Sequence, residues 1–393
     1  MDNFFNPASI AIIGASDRAG SVGQGLLTQL IEGGYTGRVV PVNPNYETLQ
    51  GLPCFPSIAA TDDPVDVAII ATPIATVPGI VRQCVQARTK GVIIISTGGQ
   101  EQGASGSYIE EQIRIAAEGS DLRIIGPNCM GIIRPDKNLN ASLAAEMPAK
   151  GNLAVISQSG AICVAILNHA ALDQTGFSHF ISVGSMLDVD FGDLIDYLGS
   201  SGSVRAILLY MESLTNPRKF MSAARAVARI KPIIVLKAGK SEAGTRAAST
   251  HTGAMVGVDA VYEAAFKRAG IVRVPSLARL FDCAELLAKQ PRPTSTRLAI
   301  ITNGGGPGVM AVDALAEYGL QPAPIPDDVL HELNASLPEC WSRSNPIDIL
   351  GTASLEDFHR AIEICLESNA FDGLLVILVP QALTSAAEEA SDL

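Results

Sequence analysis

The chain has 393 residues and lacks several features that would assign it quickly. No apolar run approaches the ~20 residues that a bilayer-spanning helix needs. The start, Met1-Asp2-Asn3-Phe4-Phe5, has no basic leader. Basic residues are too few for a nucleic-acid or anionic-membrane surface: 28 Lys and Arg stand against 40 Asp and Glu, a formal charge of −12. None of the seven cysteines forms a C-x-x-C pair, which excludes a zinc framework and a secreted disulfide scaffold. A reducing cytosol is the expected compartment. No histidines fall at metal-ligand spacing, so no protein-held metal is expected. Tryptophan is nearly absent, at one residue, and charged residues make up only 17%.

What remains is apolar and rich in glycine: 47% hydrophobic residues and 36 glycines, enough to bury a large core with many tight turns. Short Val/Ile-rich runs at 10–14, 39–42, 65–71, 91–96 and 122–126 alternate with helical stretches such as 77–88 and 107–118. That alternation predicts a parallel sheet covered on both faces, in a first domain spanning 1–148. A second cycle, 149–290, has strands near 152–156, 180–183, 206–210, 233–236 and 271–274, and a helix near 277–289. The stretch Gln290-Pro291-Arg292-Pro293-Thr294-Ser295-Thr296 reads as a linker. A third cycle, 296–393, has strands near 298–303, 320–325 and 373–379, and is expected to be incomplete. The fold class is α/β: three doubly wound domains in series, the first Rossmann-like and the next two flavodoxin-like.

Gly14-Ala15-Ser16-Asp17-Arg18-Ala19-Gly20-Ser21-Val22-Gly23 joins the first strand to the first helix. Such a turn cradles phosphate, because free helix N–H groups and the helix dipole favour anions. It is not the G-x-G-x-x-G fingerprint, since Ser16 replaces the second glycine, and no Gly-Lys-Ser/Thr follows to make a P-loop. Asn43-Pro44-Asn45 ends the second strand where an NAD site wants an acidic residue, so NAD is disfavoured. Ligands of open α/β sheets sit outside the carboxyl ends of the strands. The loops with Thr72, Pro73, Ser96 and Asn128 therefore border the same crevice. The competing reading of the turn is one that needs small residues only for packing.

The second cycle opens with Ser157-Gln158-Ser159-Gly160, another strand-to-helix turn. It offers hydroxyls and N–H groups to an anion, or is an ordinary Ser N-cap. Glu212 lies just past a later strand, and His251 in a long expected loop after the strand ending near 236. Topology puts Ser157, Glu212 and His251 at one sheet edge. An imidazole, a carboxylate to orient it and an anion-binding helix start are the parts of a phosphohistidine site. His169, His179, His331 and His359 read as surface or packed residues, with His179 just before a strand. Gly304-Gly305-Gly306-Pro307-Gly308 opens the third cycle as a second possible anion-binding helix start. Ser344-Asn345-Pro346-Ile347-Asp348 is a polar turn to which the pattern gives no role.

In this order, several motifs resemble the NDP-forming acyl-CoA synthetases, relatives of succinyl-CoA synthetase. The matching residues are Ile12-Ile13-Gly14-Ala15-Ser16 with Gly23, Pro41-Val42-Asn43-Pro44, Gly126-Pro127-Asn128-Cys129, Ser157-Gln158-Ser159-Gly160, Glu212, Ser249-Thr250-His251-Thr252-Gly253 and Thr302 to Gly308. The resemblance implies coenzyme A at Gly14, Ala15, Ser16, Gly23, Asn43, Pro44, Thr72, Pro73, Ser96 and Asn128. It implies phosphorylation of His251, with Glu212 positioning it. The helix starts at Ser157, Gln158, Ser159, Gly160 and at Gly304, Gly305, Gly306 would grip the phosphoryl group. The implied substrates are acyl-CoA, phosphate and ADP. ATP/ADP with Mg2+ would sit on an ATP-grasp module, absent from these residues and expected on a partner subunit or further domain, with the chain in an oligomer.

A second reading comes from the same superfamily. Stretches 177–184, 187–190, 194–198 and 297–303 are similar to the synthetase-like region of GNAT-fused bacterial protein lysine acetyltransferases. That region senses ligand without ligase chemistry and often lacks the catalytic histidine. This chain keeps His251, which favours the ligase.

Overall fold

A computed structural model describes residues 1–99, 102–252 and 257–380. Side chains of 249–252 lie outside that description, as do Gln100, Glu101, residues 253–256 with Gly253 among them, and the end of the chain from residue 381. The chain divides into two compact units, Met1–Gln290 and Pro291–Leu393.

The first unit opens with α1 (Asp2–Phe5), β1 (Ser9–Ile13), α2 (Val22–Glu32) and β2 (Arg38–Val42). A small hairpin of β3 (Thr48–Leu49) and β4 (Leu52–Pro53) follows, then β5 (Val67–Ile70), α3 (Val77–Gln86), β6 (Gly91–Ile94), α4 (Ala104–Ala117) and β7 (Arg123–Ile125). The sheet order is β2-β1-β5-β6-β7, all parallel. Every residue of β1, β5 and β6 is buried, as a sheet covered on both faces requires. The two faces of β1 pack against different helices. Ile10 and Ile12 pack with Leu26, Leu27 and Leu30 of α2, while Ala11 and Ile13 share a core with Val77, Val81 and Cys84 of α3.

Next come β8 (Gly131–Arg134), β9 (Leu139–Ser142), β10 (Lys150–Ser157), α5 (Gly160–Leu172), β11 (Phe177–Ser182), α6 (Phe191–Ser200), β12 (Ala206–Met211) and α7 (Pro217–Val227). They are followed by β13 (Ile233–Lys237), α8 (Glu242–Thr252), α9 (Asp259–Ala269), β14 (Val272–Arg273) and α10 (Leu277–Lys289). The second sheet runs β14-β13-β12-β10-β11-β8-β9, with the β8–β9 hairpin antiparallel to β11. This hairpin lies in the stretch that the sequence pattern groups with the first domain, yet it hydrogen-bonds to the second sheet. Leu139 and Ala141 of β9 join one core with α2, α6 and α7, which explains why 1–290 behaves as a single unit.

Two expectations change here. His179 lies inside β11 rather than before it, buried and edge-on to Phe5 at 5.1 Å. The stretch before His251 is the helix α8 rather than a loop. Its Glu242-Ala243-Gly244-Thr245-Arg246-Ala247-Ala248 opening has an acidic first turn and three alanines, which favour helix.

The second unit contains β15 (Leu298–Thr302), α11 (Gly305–Glu317), α12 (Asp327–Ser336), β16 (Ile347–Asp348), α13 (Leu355–Glu367) and β17 (Gly373–Ile377). Its parallel sheet is ordered β16-β15-β17. The expected strand at 320–325 is irregular backbone, and β16 occupies that side of β15. Pro322 and Pro324 have no N–H to give to a ladder, which overrides the apolar signal of that stretch. Among the described residues, no helix is long and apolar enough to cross a membrane.

Candidate active site

In the first sheet β1 lies between β2 and β5, and the helices that follow β1 and β5, α2 and α3, pack on opposite faces there. A cavity of about 680 Å³ opens at the carboxyl ends of these strands. Gly14, Ser16, Gly23, Asn43, Thr72, Pro73 and Ser96 line it. Gly14 has φ +94, a backbone that a side chain would strain. Gly23 is required for another reason: a Cβ there would lie 2.0 Å from the Gly14 carbonyl oxygen. This contact brings the start of α2 against the end of β1. Ser21 caps α2 by accepting the Gln24 N–H at 3.2 Å. The remaining first-turn N–H groups belong to Val22 and Gly23, both in the cavity wall.

The expected contact residues differ in their surroundings. Ala15 is fully buried, and Pro44 is exposed away from the lining. The Asn43 amide donates to the Ala15 carbonyl at 2.7 Å and accepts from the Asn45 N–H, so it fixes the turn. Ser96 donates to the Thr72 carbonyl at 2.6 Å and ties two neighbouring loops together. Arg18, absent from the sequence-derived set, lines the cavity. It is exposed and is the one cation among the described residues of this wall. Its signal was present in the sequence as the basic residue of the glycine-rich turn.

A second cavity, about 390 Å³, shares Ile95, Thr97 and Leu143 with the first. Asn128, Gln158, Ser159 and Gly160 line it. The crevice therefore runs from the Gly14–Gly23 turn to the start of α5. Ser159 caps that helix through the Ile162 N–H. Ser157 contributes differently from the expectation. It is fully buried, and its hydroxyl accepts from the Ser159 N–H at 3.1 Å and donates to the Ser159 carbonyl at 2.9 Å. The Gln158 side chain is also engaged. Its Oε1 accepts the backbone N–H groups of Glu212 and Ser213, and its Nε2 donates to Ser213 Oγ at 3.2 Å. Cys129 faces the same cavity, but burial pushes its thiol up to about 12, so it is no nucleophile at neutral pH.

Gln158 thus braces the strand end that carries Glu212. The Glu212 carboxylate is nearly buried and accepts a hydrogen bond from the Tyr210 hydroxyl, whose pKa burial and this carboxylate push up to about 12. Lys237, paired with Met211 across β13 and β12, is buried with its Nζ 4.5 Å from the Tyr262 ring centroid. Burial lowers its pKa to about 8. His251 lies near the end of α8, which follows β13 at the same sheet edge. The structure therefore brings Glu212 and the Ser159–Gly160 helix start together through Gln158.

In the second unit, the Gly304-Gly305-Gly306 turn repeats this construction. Thr302 is fully buried, with its hydroxyl bonded to both the N–H and the carbonyl of Gly304 at 3.1 Å. Asn303 exchanges two bonds with Val379, as Gln158 braces the strand end at Glu212. A Cβ on Gly305 would lie 3.0 Å from Asp348 Oδ2, and one on Gly304 2.8 Å from Val379. Two of these three glycines thus make room for neighbours. The polar turn Ser344–Asp348 is structural, because the Asn345 amide bonds Ile300, Leu298 and Ala323 and locks β16 beside β15.

Three family descriptions match along the chain. They are a CoA binding domain over residues 8–135, a succinyl-CoA ligase like flavodoxin domain over 150–287 and a Ligase-CoA domain over 298–385. The alpha subunit of acetate–CoA ligase (ADP-forming) II from Pyrococcus furiosus is 40% identical over 380 residues, covering 96% of this chain and 82% of its own length. The chain belongs to the ADP-forming acetate–CoA ligase family. Acetate–CoA ligase (ADP-forming) I from Archaeoglobus fulgidus is also 40% identical, and the chain spans 55% of that longer protein. A solved structure from Candidatus Korarchaeum cryptofilum, titled as a dinucleotide forming acetyl-coenzyme A synthetase 1 in complex with phosphate and ADP, superposes with TM-score 0.94. It is 35% identical and is covered over 85% of its chain. These relatives are ligases and carry no acetyltransferase name, so the ligase family is the one to which the motifs of this chain lead.

Proposed function

We propose that this chain is the alpha-type part of an ADP-forming acyl-CoA synthetase. The reaction is acyl-CoA, phosphate and ADP to acid, CoA and ATP. The observation that carries the reading is the continuous crevice from the Gly14–Gly23 turn to the Ser159–Gly160 helix start. It offers a diphosphate cradle at one end and an anion site at the other, with room for a pantetheine arm between them.

The CoA diphosphate meets the N–H groups of Val22 and Gly23 and the Arg18 guanidinium, which oppose its charge locally within an acidic protein. Phosphate at the start of α5 attacks the thioester carbonyl carbon. The C–S bond breaks, and the sulfur leaves as CoA thiol after taking a proton. An imidazole nitrogen of His251 then attacks phosphorus, and the carboxylate departs. Glu212 holds the other ring nitrogen and selects the tautomer, with Gln158 and Tyr210 fixing its position. The nucleotide and Mg2+ belong to an ATP-grasp module on a partner subunit or further domain, as the alpha-subunit relatives suggest.

Incubation with acetyl phosphate tests the reading. The protein gains an acid-labile, base-stable phosphoryl label, as a phosphoramidate does and a phosphoserine does not. His251→Ala abolishes it. Glu212→Gln slows labelling by about 10²–10⁴-fold, the usual weight of acid–base assistance. Normal labelling of His251→Ala would sink the assignment.

A further inference from the structure

Beyond the Ser159–Gly160 cavity lies a third, of about 700 Å³. It shares Leu143 and Val164 with the second cavity, so the crevice continues past the anion site. We propose that this groove binds the acyl chain of acyl-CoA substrates of about six carbons and longer. The inference rests on the reading of the crevice as an acyl-CoA site and names its substrate class.

Three observations carry it. The groove runs along α5, with Val164, Leu167 and Ala171 on one wall and the segment with Leu143, Met147 and Pro148 on the other. α5 buries Cys163, Ile166 and Ala170 against the sheet, yet its groove side carries Val164, Leu167 and Ala171 with Asn168 as the one polar residue among them, and Val164 stays 44% exposed and Leu143 45%. An amphipathic surface helix would place mostly polar groups there. Among the described residues of the lining, Glu146 is the one ionisable group, so an uncharged chain is favoured and a second, terminal carboxylate is not.

Reach decides which acyl groups profit. At 1.5 Å rise per residue, Val164 lies about 6 Å along α5 from Gly160 and Ala171 about 16 Å. An extended chain advances about 1.3 Å per methylene. An acetyl group therefore ends short of Val164, a hexanoyl group reaches it, and an octanoyl group lies inside the groove.

The test is a calorimetric titration of the chain with CoA, acetyl-CoA, hexanoyl-CoA and octanoyl-CoA. Each methylene beyond hexanoyl tightens binding by up to about fourfold. Octanoyl-CoA binds at least tenfold tighter than acetyl-CoA. Leu167→Trp fills the groove where the octanoyl end arrives and removes most of that gain, and Leu167→Gln makes it polar and weakens it in the same direction. Acetyl-CoA, out of reach of position 167, is the reference in each titration. If CoA itself fails to bind, the acyl-CoA reading falls and the groove assignment falls with it. If CoA binds but octanoyl-CoA gains nothing, the groove assignment alone is wrong. It is equally overturned if Leu167→Trp preserves the gain and instead changes the mass of the protein by light scattering, which would assign this face to a second copy of the chain.

Discussion

A hydroxyl at the end of a strand can serve a ligand or its own turn, and burial decides between them. Ser157 and Thr302 are fully buried and bridge the N–H and carbonyl two residues on. Loss of such a hydroxyl leaves a partly buried N–H without its acceptor, at a cost of about 1 kcal/mol. Ser157→Ala therefore lowers the melting temperature by a few degrees with little direct effect on CoA affinity. Arg18 is the opposite case, exposed in the cavity wall with its charge available. A charge-assisted bond to a diphosphate is worth about 1.5–3 kcal/mol, so Arg18→Ala weakens CoA by about 10–100-fold. Pantetheine, which lacks the diphosphate, binds both proteins alike. Calorimetry on the two variants with the two ligands checks the pair of expectations. Equal CoA affinity in Arg18→Ala and wild type would remove Arg18 from the site.

At the scale of elements, the parallel-sheet cycles were legible because Val/Ile runs alternate with helical stretches of ordinary length. The helix at Leu277–Lys289 falls where the periodicity puts it. The misreadings have local causes. Prolines cancel the apolar signal at 320–325, and the β8–β9 hairpin joins a sheet whose other strands come later in the chain. Loop positions were readable, but the division between ligand contact and structural support was not. Asn43, Ser157 and Gln158 sit where the motifs put them, yet their side chains bond the protein itself. His179 was read as bland, and its burial gives it a thermodynamic consequence. Burial, and then the nearby Arg134 charge, lower its pKa from 6.5 to about 4. Between those pH values the unfolded chain binds more protons than the folded one, so stability falls as pH falls from 6.5 towards 4. The shift bounds the loss at about 3 kcal/mol. His179→Phe, which keeps the ring contact with Phe5, flattens this part of the curve of stability against pH relative to wild type. Parallel curves from denaturant melts at pH 4, 5, 6 and 7 would show that His179 binds its proton equally in the folded and unfolded chain.

At the scale of the whole molecule, the proposed reaction brings CoA, phosphate and a phosphoryl group, all anions, to a protein of charge −12. Backbone N–H groups at helix starts resolve this, because they act over one turn while the acidic surface is screened within about 10 Å by salt. The same geometry divides the reaction. In the proposed reaction the crevice serves thioester cleavage and capture of the phosphoryl group, and the final transfer needs a nucleotide held close to His251. With acetyl-CoA and phosphate, the chain alone is expected to release CoA only until the histidine is phosphorylated, in a burst of about one CoA per chain. ADP added to this mixture produces no ATP above background. An ATP-grasp subunit from an alpha/beta-type relative then converts the burst into turnover, followed by a thiol reagent for CoA and by luminescence for ATP. The burst reports the chemistry of this chain and the luminescence reports transfer, so the two failures are separable. Sustained ATP synthesis without the added subunit would place a nucleotide site on this chain and overturn the division.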